Sequence, residues 1–159
     1  MAGVVVNADS FCNGLDRSWD RFEKRFGLRM KRLVTSAMSR LLARTPVFTG
    51  QSVASYRASV GAPSSSAPAP KSKPVEATNK LALGTEALRP SSEAPSRASL
   101  NTITTSNPFQ TYWIVNKAPM ISALEDGLLP YEPLRPRNPA GMFAVTLQEL
   151  ASNLAAGKL

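Results

Sequence analysis

Because the sequence contains no histidine, a general acid–base site in this chain would need a pair of carboxylates with tuned pKa values or a lysine. Acid–base catalysis by carboxylates needs two of them in one site with separated pKa values. Only Glu125 and Asp126 are adjacent, and neighbouring residues on a helix point about 100° apart. Cys12 is the single cysteine, and no imidazole exists to activate its thiol as a nucleophile. We therefore expect no catalytic residues and no enzymatic activity.

The amino-acid composition also limits which cofactors the chain can bind and in which compartment we expect it. One cysteine and no histidine exclude intrachain disulfide bonds and Cys/His zinc sites. No glycine-rich phosphate loop is present, since GTEALRP at 84–90 does not have that pattern. We expect no cofactor and no metal. No apolar run approaches the ~20 residues of a membrane span, and no basic segment precedes the first valines. We expect a soluble, non-secreted protein in a reducing compartment.

Positive charge is the strongest feature that remains. The net charge of +8 and isoelectric point near 10.2 favour a polyanionic or acidic partner, and leave nucleic acid and acidic protein equally open. From Asp16 to Arg44 there are nine Lys or Arg and three Asp or Glu. Seven of these basic residues form what we call the basic face, the candidate partner-binding residues: Arg17, Arg21, Lys24, Arg25, Arg29, Lys31 and Arg32.

Helical periodicity explains how that face is formed. At about 100° per residue, the segment Asp16–Arg44 predicts one amphipathic helix with Asn13 as its cap. The helix is predicted to end at Arg44, because Thr45 precedes Pro46 and the residue before a proline disfavours helical angles. A helix about 40 Å long approaches the width of a small domain, so we expect part of it to project. Opposite the basic face, of which Arg29 lies on a flank, is a predicted apolar stripe that faces the core: Trp19, Phe22, Phe26, Met30, Leu33, Ala37 and Leu41.

Gly27 lies inside this predicted helix. It is compatible with a kink, or with a tolerated glycine that costs about 1 kcal/mol relative to alanine. The run Val4–Val6 suits an edge strand and a loose arm equally well.

The rest of the chain alternates between strand-like and loop-like composition. Residues 52–60 predict a strand. Residues 61–99 predict a long Pro/Ser-rich insertion with one helical turn at Leu81–Leu88, because large apolar side chains are few. NTITTS and TYWIVNK, separated by residues 107–110, predict a hairpin.

Two elements are predicted after that hairpin. Pro119 begins a short helix that ends at Gly127. Residues 142–147 predict a strand that continues into a C-terminal helix.

Three local patterns, in this order, resemble the tail-completion (neck, or head–tail joining) proteins of tailed bacteriophages. TPVFTG after a basic helix is similar to the T-P-V-x-T-G turn of that family. NKAPMISALEDG is similar to its N-x-x-P-Y-A-x-x-L-E-x-G segment, and PAGMF to its A-P-x-G-M step. The matching residues are Thr45, Pro46, Val47, Thr49, Gly50, Asn116, Leu124, Glu125, Gly127, Pro139, Gly141 and Met142.

The chain differs from the family pattern at several positions. Phe48 stands where an aspartate is usual, Met120 and Ile121 replace a Tyr-Ala pair, and the insertion has no counterpart in the pattern.

The resemblance implies an α+β fold in a single domain, 1–159, with the insertion at about 61–99. A long N-terminal amphipathic helix would pack on a small antiparallel sheet, with a C-terminal helix. It also implies a homo-oligomeric ring, a hexamer or dodecamer, assembled in the host cytoplasm and located in the virion neck. The implied partners are portal and adaptor proteins, a tail terminator or tail tube protein, and the genomic DNA terminus.

A standalone basic nucleic-acid-binding protein is the alternative. Phosphate contacts would give it a DNA affinity that falls steeply with salt.

Overall fold

The computed structural model describes residues 7–47, 49–70, 89–128 and 141–158. Its first element, α1, spans Ala8–Arg44. The Asn7 side chain caps it by accepting hydrogen bonds from the backbone N–H groups of Asp9 and Ser10, at 3.1 and 3.4 Å. The predicted start and cap were therefore wrong, because Asn13 lies inside the helix. The predicted end at Arg44 is confirmed. The valine run lies outside the described residues.

Gly27 permits a close approach in an uninterrupted α1. It is buried, and a Cβ atom added there would lie 2.8 Å from the backbone oxygen of Thr105. The backbone of Thr105 can approach this closely only because residue 27 has no side chain, so Gly27 is required for packing.

The sheet described has two antiparallel strands. β1 spans Tyr56–Val60, β2 spans Tyr112–Asn116, and Tyr56 pairs with Asn116. A short helix, α2 (Gln51–Ala54), occupies the first half of the strand predicted at 52–60.

The predicted hairpin is wrong, because β2 pairs with β1 and residues Ser99–Thr102 form a 3₁₀ turn. On the other edge of β1, Ala58 N–H donates to Ser99 Oγ at 2.9 Å, and Thr102 Oγ1 donates to Ala58 O at 3.2 Å. Hydroxyl groups thus satisfy backbone groups that a third strand would otherwise bond.

Part of the predicted insertion is regular structure. α3 spans Arg89–Ala98, where a loop was predicted. Ser96 is fully buried and donates to Val53 O at 2.6 Å. Glu93 forms i,i+4 ion pairs with Arg89 and Arg97, which help a helix that contains Pro95. The helical turn predicted at 81–88 lies outside the described residues.

Two further helices complete the fold. α4 spans Ile121–Glu125, and Gly127 (φ +73°) follows it, which confirms the predicted helix end. α5 spans Met142–Ala155, so the strand predicted at 142–147 is wrong. Arg44 of α1 contacts Thr146, whereas Gly157, just beyond α5, lies beside Arg25 and Arg29. The two helices therefore run antiparallel.

The core lies between the C-terminal half of α1, the sheet and these short helices. The architecture confirms a mixed α+β class with a long N-terminal helix. No helix among the described residues is long and apolar enough to cross a membrane. The core residues are Val34, Met38, Leu41, Leu42, Val47, Val53, Tyr56, Ala58 and Ile103.

Candidate functional site

The basic face is exposed along its whole length, as predicted. None of its seven residues forms an ion pair with another described residue. Arg21, for example, bonds only within α1, to the Arg17 carbonyl oxygen at 3.1 Å and to Ser18 Oγ at 3.3 Å. The face therefore presents basic side chains that no ion pair to another described residue satisfies.

The other two arginines of α1 have a structural role. Arg40 and Arg44 both bond the Glu149 carboxylate of α5. The Arg44 hydrogen bond, with that of Arg40, holds the pKa of Glu149 below its ordinary value. No local sequence pattern predicts this link, because its partners lie more than a hundred residues apart.

The predicted apolar stripe is covered over only half its length. Ala37 and Leu41 are buried, whereas Trp19 and Phe22 are 55% and 48% exposed. Phe109, from the loop before β2, stacks over the exposed part, with ring centroids 6.1 Å from Trp19 and 6.4 Å from Phe22. The expectation that part of the helix projects is confirmed.

A groove of about 450 Å³ lies where the stripe enters the core. α1 contributes Met30 and Leu33 to it, β2 contributes Tyr112, and α5 contributes Phe143 and Leu147. Burial raises the pKa of Tyr112, and its hydroxyl has no hydrogen-bond partner among the described residues. Among the described residues, no charged side chain lines the groove, so its surface is mostly apolar.

The residues of the first and third motifs meet at the buried Tyr56 hydroxyl. Thr45 Oγ1 donates to Leu41 O at 2.7 Å, which leaves its oxygen to accept the Tyr56 O–H at 2.8 Å. Met142 Sδ lies 3.8 Å from the same Thr45 oxygen. Asn116, of the second motif, is the cross-strand partner of Tyr56 in the β1–β2 ladder. Burial raises the pKa of Tyr56 to about 12 despite its hydrogen bond to Thr45.

Glu125 joins the second and third motifs. Its Oε2 accepts from Phe143 N–H at 2.9 Å and its Oε1 from Ala144 N–H at 3.4 Å. Its backbone oxygen accepts from Gly141 N–H at 2.6 Å. A carboxylate at a helix N-terminus is favoured by the helix dipole. Glu125 thus caps α5 instead of forming an acid pair with the exposed Asp126.

The remaining motif residues shape turns around this centre. Pro46 and Val47 are buried, and Gly50 adopts φ +73° before α2. Thr49 Oγ1 accepts from Gln51 N–H at 3.4 Å, and Leu124 is buried in α4. Phe48 and Pro139 lie outside the described residues. We call Thr45, Tyr56, Asn116, Glu125 and Met142 the motif centre.

Arg89 closes the end of α1 and was also missed from sequence. Its guanidinium donates to Leu42 O at 2.7 Å and to Thr45 O at 3.1 Å. These carbonyls at the end of a helix have no intrahelical partner, so a residue from the predicted insertion completes the turn that holds the motif centre.

Among the described residues, no group of three or more His, Cys, Asp or Glu is placed to hold a metal ion. Comparisons with known protein families, with curated proteins and with solved structures find no match to this chain.

Proposed function

We propose that this chain is a non-enzymatic structural protein of the neck of a tailed bacteriophage, where copies of it form a ring that joins head to tail. The observation that carries the proposal is the motif centre. Three short segments, at 45–50, 116–127 and 139–143, resemble one family, and their residues contact one another. Matches that arose by coincidence have no reason to meet in space.

The contacts also give the three segments a common structural purpose. Thr45 fixes the end of α1, and Glu125 fixes the start of α5, where Met142 reaches back to Thr45. Together they hold the two longest helices in a fixed relation. A rigid frame of this kind suits a subunit that must present the same surface in every position of a ring.

The basic face supports contact with a partner, and two partners compete for it. DNA that passes through a neck must slide, and a channel lined with arginines would hold it through phosphate contacts. We therefore assign Arg17, Arg21, Lys24, Arg25 and Arg32 to acidic protein on an adjacent ring. Any DNA contact then involves the halted terminus instead of the moving duplex.

Electron microscopy of the purified protein and of intact particles tests the ring directly. We expect closed rings at high concentration or on a partner ring, and density for the protein at the head–tail junction. Strictly monomeric protein, both alone and with every virion neighbour, would contradict the proposal.

Charge reversal tests the basic face. Arg21→Glu with Arg25→Glu should block head–tail joining, scored in particle images, while monomer stability stays within about 0.5 kcal/mol, as is usual for exposed sites. Arg21→Glu and Arg25→Glu are also tested singly, and Lys117→Glu is the control for each of them, because Lys117 is exposed and lies off the basic face. Normal joining by the double variant would remove this face from the mechanism.

The second candidate, a standalone nucleic-acid-binding protein, is favoured by the unpaired charge on the basic face. DNA affinity measured against salt concentration separates the two. A standalone binder has a steep slope, which the double reversal reduces by roughly 1.8, about 0.9 for each lost phosphate contact. That result, together with an absence of rings, would favour the second candidate.

A further inference from the structure

Leu28 is a large apolar side chain on the side of α1 that faces away from the core. The other large apolar side chains that the structure shows exposed on α1 lie on the side of the apolar stripe: Phe11, Leu15, Trp19 and Phe22. Leu28 is 53% exposed, and at about 100° per residue it points within roughly 20° of the direction opposite that stripe. Packing of the core therefore does not explain a leucine at this position.

Basic side chains surround Leu28. Residues three and four positions apart are neighbours on a helix surface, and residues seven positions apart lie two turns away on the same side. Of the six positions so related to Leu28, Thr35 occupies one and basic residues occupy the rest. We call those basic residues the collar: Arg21, Lys24, Arg25, Lys31 and Arg32.

The collar is available to a partner. All of its side chains are exposed, and none forms an ion pair with another residue that the structure describes. No acidic residue occupies any of the six positions around Leu28. The leucine therefore lies at the centre of a surface of one charge sign.

The surface on either side of Leu28 is concave. The leucine lines two depressions of about 470 and 450 Å³. Arg29 and Gly157, which follows α5, border the first, and the end of α5 leaves the leucine exposed. Short polar side chains of α1 border the second: Thr35, Ser36 and Ser39. Leu28 thus forms a ridge between two hollows that partner side chains can enter.

We propose that Leu28 is the apolar anchor of the contact between the basic face and its acidic partner, and that the partner surface carries an apolar side chain surrounded by carboxylates. The inference rests on the proposed function, which assigns this face to acidic protein on an adjacent ring, and it adds the chemistry of the partner surface. In protein interfaces a central apolar residue supplies much of the affinity while its surroundings exclude water. Complementary charges around it direct association.

The leucine distinguishes this partner from a phosphate backbone. Affinity for DNA increases with the number of phosphates that cations neutralise, and a leucine in the middle of the collar neutralises none. A lysine at the same position would serve a phosphate backbone better. An apolar side chain inside a collar of charge instead matches a protein interface, whose centre is depleted of charged residues.

The expected strength of one such contact is modest. About half of the leucine surface remains to be covered, which corresponds to roughly a four- to twelvefold change in affinity. A ring repeats the contact once in every subunit, and linked contacts together bind far more tightly than one. A loss at one position is therefore multiplied in the assembled ring.

Two synthetic peptides test the anchor on the full chain. Both are alanine-based helical peptides with glutamates three and four residues to either side of a central position, which is leucine in one and serine in the other. Their charges are equal, so a difference in affinity reports the apolar contact. The wild type should bind the leucine peptide roughly four- to twelvefold more tightly at low salt, and Leu28→Ser should bind the two peptides equally.

Leu15→Ser is the matched control. It makes the same substitution in the same helix at a leucine that is 54% exposed but lies on the side of the stripe, so the preference for the leucine peptide should persist. Thermal unfolding of both variants should stay close to that of the wild type. Equal affinity of the wild type for the two peptides, no binding of either, or a preference that persists in Leu28→Ser would overturn the inference.

Leu28→Lys gives opposite results for the two classes of partner. A lysine adds charge to a phosphate contact, but it places an unpaired charge at the centre of a protein contact. Head–tail joining, scored in particle images, should therefore fail with Leu28→Lys and be retained with Leu28→Met, which conserves apolar volume. Joining by Leu28→Lys at or above the wild-type level would overturn the inference and favour a phosphate backbone.

The same particle images separate failure of this inference from failure of the proposed function. If Arg21→Glu with Arg25→Glu blocks joining while Leu28→Ser and Leu28→Lys join normally, the anchor is refuted and the role of the basic face stands. If the wild-type chain is absent from the head–tail junction, the neck function is refuted, and the peptide affinities still decide whether Leu28 anchors an acidic partner.

Discussion

Replacement of Glu125 by alanine tests whether the motif centre holds the fold together. Glu125 makes two charge-assisted bonds to the first backbone N–H groups of α5, to Phe143 at 2.9 Å and Ala144 at 3.4 Å. Without the carboxylate, those donors and the positive end of the helix dipole lose their partner. Loss of a helix N-cap costs about 0.5–2 kcal/mol. The longer of the two bonds is weak, so we expect about 1–2 kcal/mol.

Thermal unfolding followed by circular dichroism measures the effect. For a domain of this size, 1 kcal/mol corresponds to a Tm change of about 2–4 °C, so Glu125→Ala should lower Tm by roughly 2–8 °C. Glu125→Gln retains one acceptor oxygen but no charge, so its Tm should lie between those of the wild type and Glu125→Ala. Hydrogen exchange at the Phe143 and Ala144 amides should accelerate in the alanine variant.

Asp126→Ala supplies the matched control. It removes the same charge from the next residue, but Asp126 is exposed, so its Tm should change little. If Glu125→Ala and Asp126→Ala have the same Tm and unchanged exchange at α5, the carboxylate does not cap that helix, and the structural role assigned to the motif centre fails.

Three further predictions follow from buried or closely packed groups. Because folded Tyr56 has a pKa of about 12 and the unfolded group about 10, the wild type should lose up to about 3 kcal/mol between pH 10 and 12. In urea unfolding experiments, the free energy of unfolding of Tyr56→Phe should not show that loss between pH 10 and 12. Gly14→Ala should raise Tm, since its Cβ meets nothing within 4 Å, whereas Gly27→Ala should lower it through its 2.8 Å contact with Thr105. Equal Tm changes would refute that packing argument. Glu149→Gln should lower Tm near neutral pH. Because the pKa of Glu149 is lowered in the folded chain, the difference should vanish as pH falls through that pKa.

Sequence periodicity and proline position were sufficient to predict the elements that depend on local sequence. α1 was predicted from its apolar spacing, and its end from Pro46, because proline restricts the residue before it. Its start was placed eight residues late. Asn7 with Asp9 in the first turn is an N-terminal signature as good as the one chosen at Asn13, so the local signal was present but ambiguous.

Elements determined by tertiary contacts were mispredicted. β-prone composition at residues 142–147 favoured a strand, yet Met142, Thr146 and Leu150 recur every four residues and are buried on one side of α5. α3 has loop composition, but its two buried serines are at helical spacing. Serine carries little hydrophobic signal, so nothing local distinguished this helix from a loop.

Of the candidate site, the basic face could be predicted from the sequence, because it depends on α1 alone. Exposure of the basic face follows from helical geometry, and it is confirmed. The contacts of Glu149 and Arg89 with α1 depend on how distant segments pack, and no spacing rule anticipates them. The apolar spacing does not indicate where along α1 the core ends, and the structure buries only the C-terminal part of the stripe.

The two halves of α1 have different energetic roles, although one apolar pattern runs through both. The later half contributes Val34, Met38, Leu41 and Leu42 to the core, so large-to-small changes there should cost several kcal/mol in folding, about 2–5 for leucine to alanine. The first turns of α1, residues 8–18, contribute no buried side chain, so equivalent changes there leave folding nearly unaffected, whereas Trp19 and Phe22 stack on Phe109 and contribute to folding. A selective effect of substitutions at residues 8–18 on association is therefore informative, because the folding of the monomer does not depend on the same side chains.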